Sequence, residues 1–194
     1  MKELPRRLWH IGGGLSLSIA GLLMPENIFL PVLILVTVNF LLFELIRLRF
    51  SSVNRRFVAC FHALLREREA STLTASAYLL IAATVVFIFC DKAIAAMALT
   101  FVAVGDPIAG MVRGKWGKPR IRDKALTGSS ACLAACLIAG AILAAITHVA
   151  LWLVVLGAVC ATLVEFRSLP VSDNLTIPLV AGGAMMLLKF VIAG

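Results

Sequence analysis

Charge is what this sequence has least of. Asp, Glu, Lys and Arg make up 14% of its 194 residues while 61% are hydrophobic, and the mean hydropathy is +1.02. A soluble domain needs about a quarter of its residues charged to stay in water, so an ordinary soluble globule is excluded. Acids are the scarcer sign, ten against 18 Lys and Arg. In so apolar a chain the formal charge of +8 reports membrane sidedness and not a nucleic-acid footprint, so no nucleic-acid partner is expected. The three histidines, His10, His62 and His148, have no ligand spacing, which argues against a zinc site. Cys60, Cys90, Cys132, Cys136 and Cys160 are odd in number, contain no CxxC pair and sit mostly in apolar runs; they read as small core residues. Also missing are a Walker A or dinucleotide motif, an internal repeat, and any soluble stretch long enough to bury a core. The first apolar run has no small-residue cleavage site and further runs follow, so a removable signal peptide is not expected.

What is present is a series of apolar runs: Leu8–Met24, Ile28–Ile46, Leu73–Cys90, Ala93–Val112, Ser129–Thr147, Val149–Val164 and Leu175–Ile192. They predict an all-α, polytopic transmembrane bundle of about seven spans forming one integral membrane domain over residues 1–194. Cations gather in alternate connections: Lys2, Arg6 and Arg7, then Arg47 to Arg68, then Arg113 to Lys124, then Arg167. The turns opposite carry Lys92 alone. The positive-inside rule therefore places the N-terminus in the cytosol and the C-terminus outside. Between spans two and three, Phe50, Val53, Phe57, Phe61, Leu64 and Leu65 recur at helical spacing while Arg55, Arg56, His62 and Arg66 fall mainly elsewhere. That pattern predicts an amphipathic helix on the inner interface, serving either as a connector or as a roof or anionic-lipid holder over a site. Small residues every fourth position from Cys132 to Gly140 allow close packing within a protomer or between two, so a homodimer is compatible with the sequence.

Chemistry concentrates between Val104 and Ser130. Asp106 stands between Gly105 and Pro107, ~10 Å short of the inner end of an apolar run, where a carboxylate is costly unless paired, hydrated or metal-bound. Pro107 removes a backbone donor and Gly105 permits unusual angles, so a break in the helix is expected there. Gly110, Gly114, Gly117 and Gly128, with Arg113, Lys115, Lys118, Arg120, Arg122 and Lys124, have the makings of a phosphate cradle. Gly110 and Gly114 also fit a GxxxG packing motif followed by a positive-inside loop. Most other acids map to the same membrane depth. Glu44 and Arg47 lie three residues apart at the end of span two; Glu67 and Glu69 fall in the connection, each readable as facing solvent; Glu165 and Arg167 end span six; Asp173 and Asn174 open span seven, where either is a candidate N-cap. Arg7 and His10 stand at the start of span one. Magnesium prefers one or two carboxylates plus phosphate oxygens, which an Asp106, Glu165 and Asp173 set would satisfy. Phosphoryl transfer needs positioning and charge neutralisation, and a carboxylate or His beside an alcohol accepts its proton.

Several motifs together resemble the membrane lipid kinases that include dolichol kinase, phytol kinase and the CTP-dependent diacylglycerol kinase. They are Arg6-Arg7-Leu-Trp-His10, Phe43-Glu44-Leu-Ile-Arg47, Arg66-Glu67-Arg-Glu69 with Leu73-Thr74-Ala75, Gly105-Asp106 with the glycines following, Lys124 to Ser129, and Glu165 with Asp173-Asn174-Leu-Thr-Ile-Pro178. The resemblance covers nearly the whole chain. It implies a multi-pass enzyme using a nucleoside triphosphate, commonly CTP, with magnesium, to phosphorylate a lipid alcohol (polyprenol, phytol-type or diacylglycerol) at the cytosolic face. It assigns Asp106, Gly110, Gly114, Gly117, Lys124, Gly128 and Ser129 to the nucleotide-binding region, and Glu44, Arg47, Glu67, Asp173 and Asn174 to the other polar positions. Asp106 and Asp173 are expected at the metal or phosphates and Glu44 or Glu67 at the hydroxyl. Pro107 stands where the family often has Ala, and Lys124-Ala-Leu-Thr-Gly where it commonly has Lys-Ser-x-Glu-Gly. Two alternatives remain: a cytidylyltransferase acting on a phospholipid, and a transporter binding its substrate at a broken fourth helix.

Overall fold

The computed structural model describes residues 4–116, 126–167 and 171–193. Among them are eight α-helices and one short 3-10 turn, and no strand. The helices are α1 (Leu4–Leu23), α2 (Glu26–Arg49), α3 (Ser51–Phe61), α4 (Ala75–Phe89), α5 (Lys92–Trp116), α6 (Leu126–Thr147), α7 (Leu151–Arg167) and α8 (Asp173–Ala193), with the 3-10 turn at Glu67–Ala70 between α3 and α4. Each expected span is a helix. Four of them, α2, α5, α6 and α8, are long and apolar enough to cross a bilayer. At 1.5 Å per residue, α4 with its 15 residues reaches about 22 Å.

The bundle is built around α5, which packs against α1, α4, α6, α7 and α8. Its stretch from Ile94 to Ala103 is almost wholly buried. The outside of the bundle is as apolar as the inside, with Leu35, Leu45, Ile142, Leu151, Leu163 and Leu187 all exposed, the surface of a membrane protein. Hydrocarbon gives helices no hydrophobic reason to associate, so close backbone approach and polar contacts must hold them. Along α1 the buried residues are Gly14, Ser18 and Gly21, one stripe at helical spacing. A β-carbon on Gly14 would sit 2.6 Å from the Ala103 β-carbon, and one on Gly21 would sit 2.1 Å from the Phe87 ring. Between them Ser18 Oγ donates to Ala96 O at 2.7 Å and meets Thr100 Oγ1 at 2.9 Å. On the other side of α5, a β-carbon on Gly105 would lie 2.9 Å from both the Cys132 and Cys136 sulfurs. Those cysteines are buried core residues, as expected; Cys60 departs from that reading and is exposed on α3.

Two local expectations change. The helix does not break at Gly105–Pro107, since α5 runs through Pro107 without interruption. The proline withholds the N–H that Ala103 O would otherwise accept, but packing on several sides holds the helical path. The amphipathic helix is also shorter than the pattern from Phe50 to Leu65: α3 ends at Phe61, and Leu64 and Leu65 follow it outside the helix. The tight connection at His148 is as expected, and it is made by a left-handed residue, φ 57°, whose N–H bonds Ala144 O at 2.8 Å.

Replacing Gly14 by Leu should push α1 off α5 and destabilise the detergent-solubilised protein by about 1–3 kcal/mol, the usual cost of overpacking. Gly12→Leu, where a β-carbon meets nothing within 4 Å, should leave the thermal midpoint unchanged. Equal midpoints for the two variants would contradict this packing.

Candidate functional site

At the end of the bundle where α1, α4 and α8 begin and α5 finishes, a polar cavity of about 260 Å³ opens between them. Arg6, Arg7 and His10 reach it from α1, and Asp106, Pro107, Gly110 and Arg113 from α5. Arg66 enters from the connection before the 3-10 turn, Ala75 from the start of α4 and Asn174 from the start of α8. The spacing explains the convergence. Arg6 and Arg7 lie one turn before His10, and Asp106, Gly110 and Arg113 form a stripe at i, i+4 and i+7. Four arginines thus surround one aspartate. Asp106 is half-buried, and its carboxylate makes no hydrogen bond or ion pair with the other described residues. Gly110 lies beneath the Arg7 guanidinium, where a β-carbon would be 3.5 Å from Nη2. Asn174 Nδ2 donates to Ala75 O at 3.0 Å and so ties the first turns of α4 and α8 together. His10 Nε2 lies 3.2 Å from Val102 O. A carbonyl can only accept, so Nε2 carries the proton in that bond and Nδ1 is the acceptor of the neutral ring.

Beside the polar cavity runs an apolar groove of about 500 Å³ between α1, α2, α3 and α4. The two share Arg6, His10 and Ala75 as common walls. Trp9 Nε1 bonds Ser76 Oγ at 3.4 Å, linking α1 to α4 beside the groove.

The other expected site residues have different surroundings. Glu44 and Arg47 are completely buried and paired at 2.7 Å. Glu44 also accepts from Thr74 N–H and Oγ1, at 3.1 and 3.0 Å. Arg47 donates to Asn54 Oδ1, Glu69 O and Thr72 O, and its guanidinium lies 4.8 Å from the Phe57 ring centroid. Asn54 in turn donates to Ala70 O. This network fixes the 66–74 connection to α2, and with it the position of Arg66. It does not line the cavity, so Glu44, expected among the catalytic groups, is engaged elsewhere. Glu67 is exposed and also off the cavity, whereas Glu69 is buried and accepts from Arg66 N–H.

Glu165 is wholly buried; one oxygen pairs with Arg113 Nη1 and the other accepts from Ser129 Oγ at 2.8 Å. It therefore clasps α5, α6 and α7 together. Gly128 makes room for that clasp, since a β-carbon there would come within 2.4 Å of Arg113 Cγ. Gly128 and Ser129 thus serve the placement of Arg113 and do not line the cavity. Gly114 faces open space, with nothing within 4 Å of an added β-carbon, so it makes no helix contact of the GxxxG kind. Asp173 is the first residue of α8, next to the cavity-lining Asn174, and the N-cap before it is Ser172, whose Oγ accepts from Asn174 N–H. Gly117 and Lys124 lie outside the described residues. Among the described residues no group of three or more His, Cys, Asp or Glu could hold a metal ion.

Of the residues singled out from sequence, Arg7, His10, Asp106, Pro107, Gly110, Arg113 and Asn174 meet in the cavity. Arg6 and Arg66, which sequence reasoning counted only as inside charges and motif members, belong there too. The i, i+4 relation of Arg6 to His10 was the available signal; Arg66 had none, because its place depends on the Arg47 network. Compared with protein-family models, curated proteins and solved structures, the chain gives no match.

Removing one member of a buried ion pair leaves the other uncompensated. Glu44→Ala should therefore destabilise the protein by about 3–5 kcal/mol, read as a lower thermal midpoint, and Glu44→Leu with Arg47→Met should recover much of that loss. A Glu44→Ala variant as stable as wild type would contradict this role.

Proposed function

We propose that this protein is a membrane lipid kinase that transfers the γ-phosphate of a nucleoside triphosphate, CTP by the resemblance, to the hydroxyl of a lipid alcohol at the cytosolic face. The observation that carries the reading is the polar cavity, where four arginines surround a single aspartate at the end of a helix buried in an apolar bundle. Guanidinium forks match phosphate oxygens, and their low-dielectric setting strengthens each contact. Phosphoryl transfer asks a protein for little beyond placing the reactants and neutralising the equatorial oxygens.

A cage of protein ligands for magnesium is not found among the described residues. The ion's usual partnership with a triphosphate needs only one or two carboxylates, and Asp106, the carboxylate that lines the cavity, fits it; Asp173, expected beside it from sequence, precedes the cavity-lining Asn174 and is not itself on the wall. Glu165 is committed to Arg113 and Ser129 and is left out of this set. Bound there with the nucleotide, magnesium would supply charge neutralisation at the phosphates. Arg6, Arg7, Arg66 and Arg113 hold the phosphate oxygens in line with the acceptor. Gly117 and Lys124 belong to the nucleotide-binding region by the resemblance. His10, on the wall shared with the apolar groove, accepts the proton of the lipid hydroxyl. As the oxygen bonds to the γ-phosphorus, the bond from phosphorus to the bridging oxygen breaks, and the nucleoside diphosphate leaves with that electron pair. The transporter alternative rested on a broken helix, and α5 is continuous.

With CTP, magnesium and a panel of lipid alcohols, purified wild type should release CDP and form a lipid monophosphate, and Asp106→Asn should slow this roughly 100-fold or more. Equal rates would remove Asp106 from the reaction; pyrophosphate release would favour the cytidylyltransferase, and vesicle uptake without phosphorylation the transporter. Sidedness has its own test. Cys60 is exposed on α3, so a membrane-impermeant maleimide should label it only after intact cells are permeabilised. Labelling of Cys60 from outside would invert the proposed topology.

A further inference from the structure

Resting on the reading that the acceptor is a lipid alcohol, we propose that the apolar groove between α1, α2, α3 and α4 binds the single hydrocarbon chain of that acceptor and presents its hydroxyl at His10. The first support is continuity. Arg6, His10 and Ala75 wall both the groove and the polar cavity, so a chain lying in one has its polar end in the other. The second is size. At about 500 Å³ the groove lies within the usual range of small-molecule sites. An α-helix ~10 Å across would fill that volume in about one turn, so a partner helix does not fit, whereas a flexible chain does.

The third support comes from Gly13 and α3. Gly13 lines the groove, and a β-carbon added there meets nothing within 4 Å, so its missing side chain is what keeps the α1 wall open. Opposite, Phe57 and Phe61 line the groove while Arg55 and Arg56 of the same helix are exposed. The apolar face of α3 therefore covers the groove and its charged face points away. That assigns the amphipathic helix its purpose: it roofs a hydrocarbon site and does more than connect two spans.

A diazirine analogue of farnesol, photolysed with the purified protein in nanodiscs and mapped by peptide mass spectrometry, tests this without relying on catalysis. Label is expected on α1, α3 and α4 residues of the groove, such as Leu17, Phe57 and Leu79. Gly13→Trp, which fills the groove, should lower labelling about tenfold, equivalent to ~1.4 kcal/mol of binding. Gly12→Trp, off the groove, should not. Gly13→Leu provides a graded, smaller obstruction, and unchanged thermal midpoints establish that each variant is folded. Label confined to the outer surfaces of α6 and α8, or labelling of Gly13→Trp equal to wild type, would overturn the proposal. Groove labelling that Gly13→Trp abolishes, in a protein that phosphorylates no alcohol, would uphold the lipid site and reject the kinase.

Discussion

A helix surrounded on all sides inside a membrane bundle has to be held by close approach, because hydrocarbon offers nothing to expel it from. α5 is held this way. Gly14 lets α1 reach Ala103, and Gly105 admits the Cys132 and Cys136 sulfurs. Ser18 supplies the polar contacts to α5. Once the middle of α5 is sealed, its polar residues have one place to emerge, the turn from Asp106 to Arg113. There the burial of Glu165 beneath Arg113 and Ser129 draws α6 and α7 to the same end, while Asn174 joins α8 to α4. The polar cavity is thus the far end of the packing that holds the bundle together.

The charged residues around that cavity divide by what their surroundings ask of them. Glu44, Arg47 and Glu165 are fully buried, and an ion so placed survives only with its partners in position. Their role is to set where other groups stand. Asp106 and the arginines of the cavity are only partly buried and line a space open to solvent. Function is therefore to be sought among the half-buried groups, and the wholly buried carboxylates, which look more unusual, explain why those groups converge. His10 belongs with the half-buried groups, standing where the polar cavity meets the apolar groove.

Much of this was legible in the residues alone. The all-helical architecture, the helix at each expected span and the amphipathic segment follow from hydropathy and the 3.6-residue period, which local sequence carries in full. The same period relates Asp106 to Gly110 and Arg113, and Arg6 to His10, but the break expected at Pro107 hid the first of these stripes until α5 proved continuous. What sequence could not supply was which partner each polar residue meets. Glu44 and Asp106 are both carboxylates near the inner end of an apolar helix. The first is consumed by Arg47 and Thr74 and the second is not, because the chain between α3 and α4 folds back over one of them and not the other.

The continuity of α5 through Pro107 has the same origin. A proline withdraws one donor and crowds one carbonyl, a local effect that favours a break. Five neighbouring helices outweigh it, and only their arrangement in space reveals that. Composition and periodicity therefore decided that this protein is a membrane-embedded helical bundle and which faces its polar residues occupy, since those depend on each residue and its near neighbours. Tertiary structure decided which of those polar residues hold the bundle and which line its polar cavity, since the partners of a charge are groups distant in the chain.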